Sequence, residues 1–332
     1  MKILWLVSEN YYKTKVSRIR FHSMKAVFGK CEYYSYWGPG WSSSRSTWDN
    51  NLTCQENIDN EFPNVEWDLV IGFKPLEMKE FKDIKYKKCL RYNEMFDKNW
   101  TISEIVQSNT DIVICHHYND YIEYKEMFAK VKGPKPITFK YVPHSAEKTI
   151  FKPMPEVEKK FDVLIVGATH AQTMLGDHYP LRKRMCDLIY KLPQKYKVGI
   201  VPHAGGSHSD AHTDKYAKQF AETINSAKIV ITDSGAPKSR FGKYQEIPAC
   251  GVAIAGDVYD DHPDDVERLK EFLIEINMEM DDYDILERLV YYLENEDERL
   301  KLVNKGLEYV KDYTHEKYAE RFLEAIQDVC AL

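Results

Sequence analysis

Short apolar segments alternate along the chain with longer amphipathic segments, and turn-forming residues separate them. Apolar runs of roughly four to eight residues are typical of buried strands, and their alternation with helical patterns predicts βαβ units and a parallel sheet. The pattern in the first half predicts strands at Lys2–Ser8, Cys31–Tyr34, Trp67–Gly72, Lys88–Tyr92, Asp111–Cys115 and Ile137–Val142. Helical patterns cover Lys15–Phe28 and Thr101–Ser108. Residues Trp37–Asn60 are rich in Gly, Ser, Trp and Asn and are predicted to form a long loop.

A second series of elements begins at Phe161 with the sequence FDVLIVG, a buried strand that ends in Gly167. Three more strands are predicted at Lys197–Val201, Ile229–Thr232 and Val252–Ala255. Helices are predicted at Leu181–Lys191, Ala211–Asn225, Lys243–Ala249, Asp264–Ile276, Tyr283–Glu294, Asp297–Tyr313 and His315–Ala331. The chain therefore contains two successive α/β patterns.

A proline-rich connector separates the two patterns, with Pro143, Pro153 and Pro155 interrupting both helix and central strand. The sequence predicts an N-terminal Rossmann-like domain at residues 1–150 and a C-terminal one at residues 151–310. The last helix, residues 311–332, is expected to pack back on the N-terminal domain. Two doubly wound halves facing a central cleft would place the carboxyl ends of both sheets at that cleft, where open α/β sheets bind ligands.

Composition excludes some classes of partner and location. The formal net charge of -6 is opposite to the basic surface that binding to a nucleic-acid backbone requires. The N-terminal apolar stretch is too short for a secretion signal or a membrane span, so we expect a cytoplasmic protein without a transmembrane segment.

The segment Ile231–Asp257 carries the strongest chemical signal. A strand ends near Asp233, a loop follows, and a short helix begins near Gly242. The basic residues Lys238, Arg240 and Lys243 lie within or beside this turn. A helix N-terminus with neighbouring cations suits an anion such as a diphosphate. One turn later, Glu246 is placed to accept the hydroxyls of a ribose. The alternative interpretation is that Lys243 and Glu246 form only a solvated ion pair.

Weaker signals follow other strands. Arg182 and Arg184 lie on the helix after Gly167, either near a diphosphate or as surface charges. The segment PHAGGSHSDAH, Pro202–His212, suits close approach of a nucleobase, and His203 and Gly205 are its candidate contacts. His208 and His212 have metal-ligand spacing, but a third ligand cannot be placed, so we expect no metal cofactor.

Three side chains at strand ends of the first half are candidate general bases: Glu94, Asp97 and His116. Such residues also commonly stabilise loops by hydrogen bonding, which is the alternative for each of them.

Several segments resemble one enzyme family in the same order. YQEIPACGVAIAGD is similar to the "EAMACGTPVVAS" segment of nucleotide-sugar glycosyltransferases of family four and their CgeB-like relatives. YVPHSAEKTIFKP, FDVLIVGATH, INSAKIVIT and the C-terminal YVKDYTHEKYAERFLEAI resemble further segments of these proteins. The resemblance extends from about residue 140 to the end. It implies that residues 151–310 are the domain that binds the nucleotide-sugar donor and that residues 1–150 are the acceptor domain.

The resemblance implies a GT-B fold, a nucleoside-diphosphate sugar such as a UDP-sugar as co-substrate, and no required metal. It implies that Glu246 binds the donor ribose. Lys238 stands where family four has an earlier glutamate, which leaves retaining or inverting stereochemistry open. The predicted donor-binding residues are Gly167, Arg182, His203, Gly205, Ser239, Arg240, Gly242, Lys243 and Glu246.

The function that we expect is transfer of a sugar to a hydroxyl group of a glycan or small molecule. Three alternatives on the same fold are a sugar-nucleotide epimerase, a glycan phosphorylase and a non-catalytic protein that binds sugar nucleotides.

Overall fold

The computed structural model describes residues 1–14, 18–95, 97–130, 135–169, 172–173, 176–202 and 213–330. The chain divides into two compact units. Unit 1 contains Met1–Pro143 and the chain from Tyr318 onward, and unit 2 contains the described residues between His144 and Lys317. The assignment of the two predicted domains to acceptor and donor stays a prediction.

Unit 1 is built on a six-stranded sheet with the order β2-β1-β3-β4-β5-β6, and every neighbouring pair is parallel. Its central strands are buried along their whole length because helices cover both faces of a parallel sheet. The six strands are β1 (Lys2–Leu6), β2 (Tyr33–Trp37), β3 (Leu69–Gly72), β4 (Lys88–Tyr92), β5 (Ile112–Cys115) and β6 (Thr138–Tyr141). All six strands predicted for the first half are therefore present.

The helices of unit 1 are α1 (Glu9–Thr14), α2 (Arg18–Phe28), α3 (Cys54–Glu61), α4 (Lys98–Gln107) and α5 (Tyr118–Lys130). Helix α3 corrects the prediction of a loop over Trp37–Asn60. Thr53 and Glu56 form a reciprocal capping box at its start, which contributes about 1 kcal/mol to the helix. The Thr-x-x-Glu spacing is a local signal that the surrounding polar residues obscured.

Unit 2 is built on a five-stranded parallel sheet with the order β10-β7-β11-β12-β13. The strands are β7 (Phe161–Val166), β10 (Val198–Val201), β11 (Ala227–Ile231), β12 (Ala253–Gly256) and β13 (Leu273–Glu275), and a small antiparallel pair joins β8 (Gln172–Thr173) to β9 (Gly176–Asp177). The fold class, with two α/β units on parallel sheets, is confirmed.

The helices of unit 2 are α6 (Pro180–Leu188), α7 (Lys215–Asn225), α8 (Lys243–Ala249), α9 (Pro263–Lys270), α10 (Asp282–Glu294) and α11 (Glu296–Tyr309). The prediction of one helix over Asp264–Ile276 is wrong in its second half, because β13 pairs with β12 there. A short apolar run fits either a helix or a strand, and pairing with a neighbouring strand decides between them.

The last helix, α12 (His315–Cys330), begins in unit 2 and continues into unit 1. Its residues Tyr318, Phe322 and Ile326 are buried in the same core as Ile3 and Trp5 of β1. Among the described residues, no helix is long and apolar enough to cross a membrane. The cytoplasmic location stays a prediction.

The strand order of unit 2 contains a reversal that positions a site. The chain runs from β7 outward to β10 and then returns to β11 on the other side of β7. The carboxyl ends of β7 and β11 therefore form a topological switch point, and open α/β sheets bind ligands in the crevice at such a point.

Candidate active site

Gly167 directly follows β7 at the switch point of unit 2. Its φ angle of +100° lies in a region that residues with a side chain rarely adopt. A Cβ added there would lie 2.6 Å from Cε of Lys243 and 2.7 Å from Nη1 of Arg182. The structure therefore brings together three residues that the sequence predicts in separate segments. Two cationic side chains therefore pack directly against the backbone at Gly167.

Arg182 is held in place from two sides. Its Nε lies 2.7 Å from Oδ1 of Asp233, and its backbone N–H donates to Oδ2 of the same carboxylate. The guanidinium also stacks on the ring of Tyr179, with 3.6 Å between Cζ and the ring centroid. Both members of the ion pair are 1% exposed. A buried ion pair with this geometry fixes the direction in which the guanidinium points.

The outer nitrogens of Arg182 make no hydrogen bond to the carboxylate of Asp233. Nη1 and Nη2 are buried, and neither has a hydrogen-bond partner within the described residues. Thr232 and Gln245 also carry buried polar side-chain atoms without a partner in that part of the chain. A buried polar group without a partner costs about 1 to 3 kcal/mol, so this end of the sheet offers unused hydrogen-bonding capacity to a polar ligand.

Asp257 organises the loop between β11 and α8. Its carboxylate accepts hydrogen bonds from the backbone N–H and the hydroxyl of Ser234, both at 2.7 Å, and from Nζ of Lys238 at 2.9 Å. The hydroxyl of Tyr244 donates to the same residue. Lys238, at φ +51°, is thus tied to the loop. No role for Asp233 or Asp257 was predicted from the sequence. Their position within two residues of the ends of two parallel strands is the signal that identifies them.

Arg240, another predicted donor-binding residue, lies among acidic and aromatic side chains of unit 2. Its side chain is fully buried and forms ion pairs with Asp261 at 3.1 Å and Asp265 at 3.3 Å. Its guanidinium also lies 4.6 Å from the ring centroid of Tyr313 and donates to the hydroxyl of Tyr309. Two carboxylates therefore balance this charge inside unit 2.

The remaining predicted donor residues lie around α8. Ser239 is buried, and its N–H donates to the carbonyl of Ser234. Gly242 is the N-cap of α8, and its carbonyl accepts from the N–H of Glu246. Glu246 is 3% exposed and lies one turn after Lys243, so the two residues share a face of the helix. The predicted contacts His203 and Gly205 lie outside the described residues.

Unit 1 contains a cavity of about 380 Å³ at the carboxyl ends of β3 and β4. Glu94 and Asp97, two of the predicted general bases, line it. Asp97 is the N-cap of α4, and its Oδ1 accepts from the N–H of Trp100 at 3.1 Å. Glu104 also lines the cavity and accepts a hydrogen bond from the hydroxyl of Tyr92 at 2.6 Å. Glu104 was not predicted from the sequence, because a helical residue twelve positions beyond a strand gives no local signal.

His116, the third predicted base, is 1% exposed. Its Nδ1 lies 2.7 Å from the carbonyl oxygen of Val142, and its ring packs against Tyr318 at 5.6 Å between centroids. This environment joins β5, β6 and α12 inside unit 1. His116 is not among the residues that line the cavity of Glu94 and Asp97.

Asp120 is a further carboxyl group of unit 1, on α5. Burial raises its pKa from 3.8 to about 7, opposed by a backbone hydrogen bond from Met95 and reinforced by the charge of Glu94. Because the pKa is higher in the folded state, this group favours folding below about pH 4. That contribution is lost as the pH rises through 7.

We expect Asp120→Asn to leave stability near pH 4 almost unchanged and to increase the free energy of unfolding at pH 8. The increase is at most on the order of 4 kcal/mol, because the amide mimics the protonated carboxyl. Chemical denaturation of both proteins across this pH range measures the effect. Parallel pH profiles for wild type and variant would contradict it.

Among the described residues, no group of three or more His, Cys, Asp or Glu side chains is placed to hold a metal ion. His208 and His212 lie outside the described residues. The expectation that no metal cofactor is required stays a prediction.

Solved structures show which class of protein has this fold. The sucrose-phosphate synthase of Thermosynechococcus elongatus matches with a TM-score of 0.63 at 10% identity, covering 99% of each chain. The HepE protein of Anabaena in complex with UDP matches with a TM-score of 0.64 at 8% identity, covering 99% of this chain and 100% of that chain. An alpha-glucosyltransferase in complex with UDP-glucose and DNA containing an abasic site matches with a TM-score of 0.60 at 12% identity over 100% of both. The fold is the GT-B fold of glycosyltransferases.

The family follows from the sequence itself. A model of the glycosyl transferase-like family matches residues 150–324, which is more than half of the chain. This protein belongs to the glycosyl transferase-like family. No sequence of a curated protein matches it. The predicted resemblance to nucleotide-sugar glycosyltransferases is confirmed, and glycosyl transfer is favoured over the epimerase, phosphorylase and binding-protein alternatives.

Proposed function

We propose that this protein transfers a sugar from a UDP-sugar to a hydroxyl group, and that Gly167, Arg182 and Lys243 bind the diphosphate. One observation carries the proposal: the guanidinium of Arg182 and the ammonium arm of Lys243 meet beside the backbone of Gly167 at a topological switch point. The structural neighbours that contain UDP or UDP-glucose support a uridine nucleotide as the donor.

The chemistry requires a positive site of this kind. When the bond between the sugar and the diphosphate breaks, negative charge develops on the leaving phosphate oxygen. Fixed cations in a site that excludes water stabilise that charge without reorganising during the reaction. Arg182 meets this requirement because Asp233 fixes its Nε and leaves Nη1 and Nη2 to donate to phosphate oxygens. Lys243 supplies the second positive charge through a flexible side chain that ends in a compact ammonium group.

The other donor contacts extend this arrangement. Glu246 shares the helix face of Lys243, which supports its proposed role of accepting hydrogen bonds from the ribose hydroxyls. Ser239 and Gly242 belong to the turn that leads into α8, and His203 and Gly205 are proposed to contact the nucleobase. Arg240 supports this turn through Asp261 and Asp265 rather than by contacting phosphate.

Among the three predicted general bases, Glu94 is the one that we retain for accepting the proton of the attacking hydroxyl. Glu94 and Asp97 both line the unit 1 cavity, but Asp97 also caps α4, and His116 is bonded to the carbonyl of Val142 and does not line the cavity. The acceptor proton would pass to the carboxylate of Glu94 as the new bond between sugar and oxygen forms.

Calorimetry with UDP and a panel of UDP-sugars tests the donor site. We expect wild type to bind UDP and Lys243→Met to bind it about 10- to 100-fold more weakly, because one charge-assisted hydrogen bond is lost. Lys228→Met is the matched control, since Lys228 pairs with Asp162 and lies at the start of β11, away from its carboxyl end. Equal UDP affinity of Lys243→Met and Lys228→Met would reject the assignment.

A further inference from the structure

The unit 1 cavity has a lining that is specific in its chemistry. Four aromatic side chains contribute to it: Tyr11, Phe73, Tyr92 and Trp100. Trp100 is 55% exposed although it is a large apolar residue, and Tyr11 and Phe73 pack together with 4.4 Å between ring centroids. Aromatic rings that keep a face accessible beside polar groups offer a stacking surface for a flat ligand with an apolar face.

The polar part of the lining consists mainly of hydrogen-bond acceptors. Asn93, Glu94, Asp97 and Glu104 present amide and carboxyl oxygens, which accept hydrogen bonds from hydroxyl groups. Tyr92 positions Glu104 through the hydrogen bond between its hydroxyl and that carboxyl group. Carboxyl oxygens next to aromatic faces suit a molecule with many hydroxyl groups and patches of C–H bonds.

The two cations of the cavity are committed to protein groups. Nζ of Lys74 lies 2.6 Å from the carboxylate of Glu77, and Nε of Arg91 donates to the hydroxyl of Tyr318 at 2.7 Å. Three carboxyl groups line the cavity against these two engaged cations. An anionic ligand would face like charges at close range, which disfavours phosphorylated or acidic molecules.

We infer that this cavity binds a neutral sugar, which is the acceptor of the transfer reaction, and that Trp100 stacks on its ring. The volume of about 380 Å³ falls within the range of small-molecule sites. The assignment of this sugar as the acceptor rests on the proposed glycosyl transfer. The binding of a neutral sugar rests only on the lining of the cavity. Trp100 is a specificity-determining residue in this account, because its ring lines the cavity and is 55% exposed.

Saturation-transfer NMR with glucose, galactose, N-acetylglucosamine, maltose and cellobiose, each in the presence of UDP, tests the inference. We expect at least one of these sugars to bind, and glucose 6-phosphate to bind more weakly than glucose. Trp100→Ala should weaken the binding about tenfold, because the stacking contact is removed. Tyr283→Ala is the control, since Tyr283 is an aromatic residue of unit 2 with 66% exposure.

The outcomes separate this inference from the proposed function. Sugar binding that is about tenfold weaker in Trp100→Ala, with unchanged UDP affinity and normal sugar binding by Tyr283→Ala, supports the inference. Binding of none of the neutral sugars, equal binding by both variants, or preference for glucose 6-phosphate would overturn it, even if UDP binds. Conversely, sugar binding that depends on Trp100 in a protein that does not bind UDP would uphold the cavity and reject glycosyl transfer.

Discussion

Replacing Arg182 with methionine is expected to reduce kcat/KM for the UDP-sugar by about 10²- to 10³-fold and to lower the free energy of unfolding by about 3 to 5 kcal/mol. The kinetic loss arises because the guanidinium no longer stabilises the leaving diphosphate. The loss of stability arises because the carboxylate of Asp233, 1% exposed, is left buried without its partner. Steady-state kinetics and chemical denaturation measure the two effects separately.

A double variant distinguishes these two roles of Arg182. Adding Asp233→Asn to Arg182→Met removes the buried negative charge that has lost its partner. Most of the lost stability should therefore return, while UDP binding stays weak. If the double variant is as unstable as Arg182→Met, the ion pair does not have the structural role described here. If Arg182→Met binds UDP like wild type, the guanidinium does not contact phosphate.

Gly167→Ala is expected to reduce kcat/KM by at least about 100-fold without unfolding the protein. The added methyl group would lie 2.6 Å from Cε of Lys243 and 2.7 Å from Nη1 of Arg182, so both cations must shift. A displacement of about 1 Å at groups that position a substrate costs roughly this factor. The positive φ angle adds a strain of about 1 to 3 kcal/mol, which denaturation measures.

Gly251→Ala is the matched control for backbone strain. Gly251 follows the C-terminus of α8 with a φ of +65°, and its added Cβ would meet the ring of Pro153 at 3.1 Å rather than a cation. Both variants should lose stability, but only Gly167→Ala should lose activity. Equal loss of activity in the two would attribute the effect to strain and not to the diphosphate site.

Much of the fold could be predicted because its signals are local. The apolar run at Phe161–Val166 and the turn at Gly167 are continuous in sequence, and α8 begins and ends at the predicted residues. The errors occurred where local pattern and tertiary context disagree. The sequence of β13 also fits a helix, and its pairing with β12 makes it a strand. Helix α3 depends on a capping box that lies within a polar segment.

The site was less predictable, because a sequence shows which side chains are charged but not where each side chain points. Arg240 and Lys243 are equally basic neighbours of one turn, yet Asp261 and Asp265 bind the first and the second reaches Gly167. The pairing of Arg182 with Asp233 joins residues 51 positions apart and depends on the adjacency of β7 and β11. Such pairings arise from the topology of the sheet, and no local pattern reveals them.

A crystal structure of this protein soaked with UDP tests the central claim most directly. We predict that the phosphates lie against the backbone of Gly167, with Nη1 or Nη2 of Arg182 and Nζ of Lys243 within hydrogen-bonding distance of their oxygens. Phosphates bound elsewhere, with Arg182 contacting only Asp233 and Tyr179, would contradict the account.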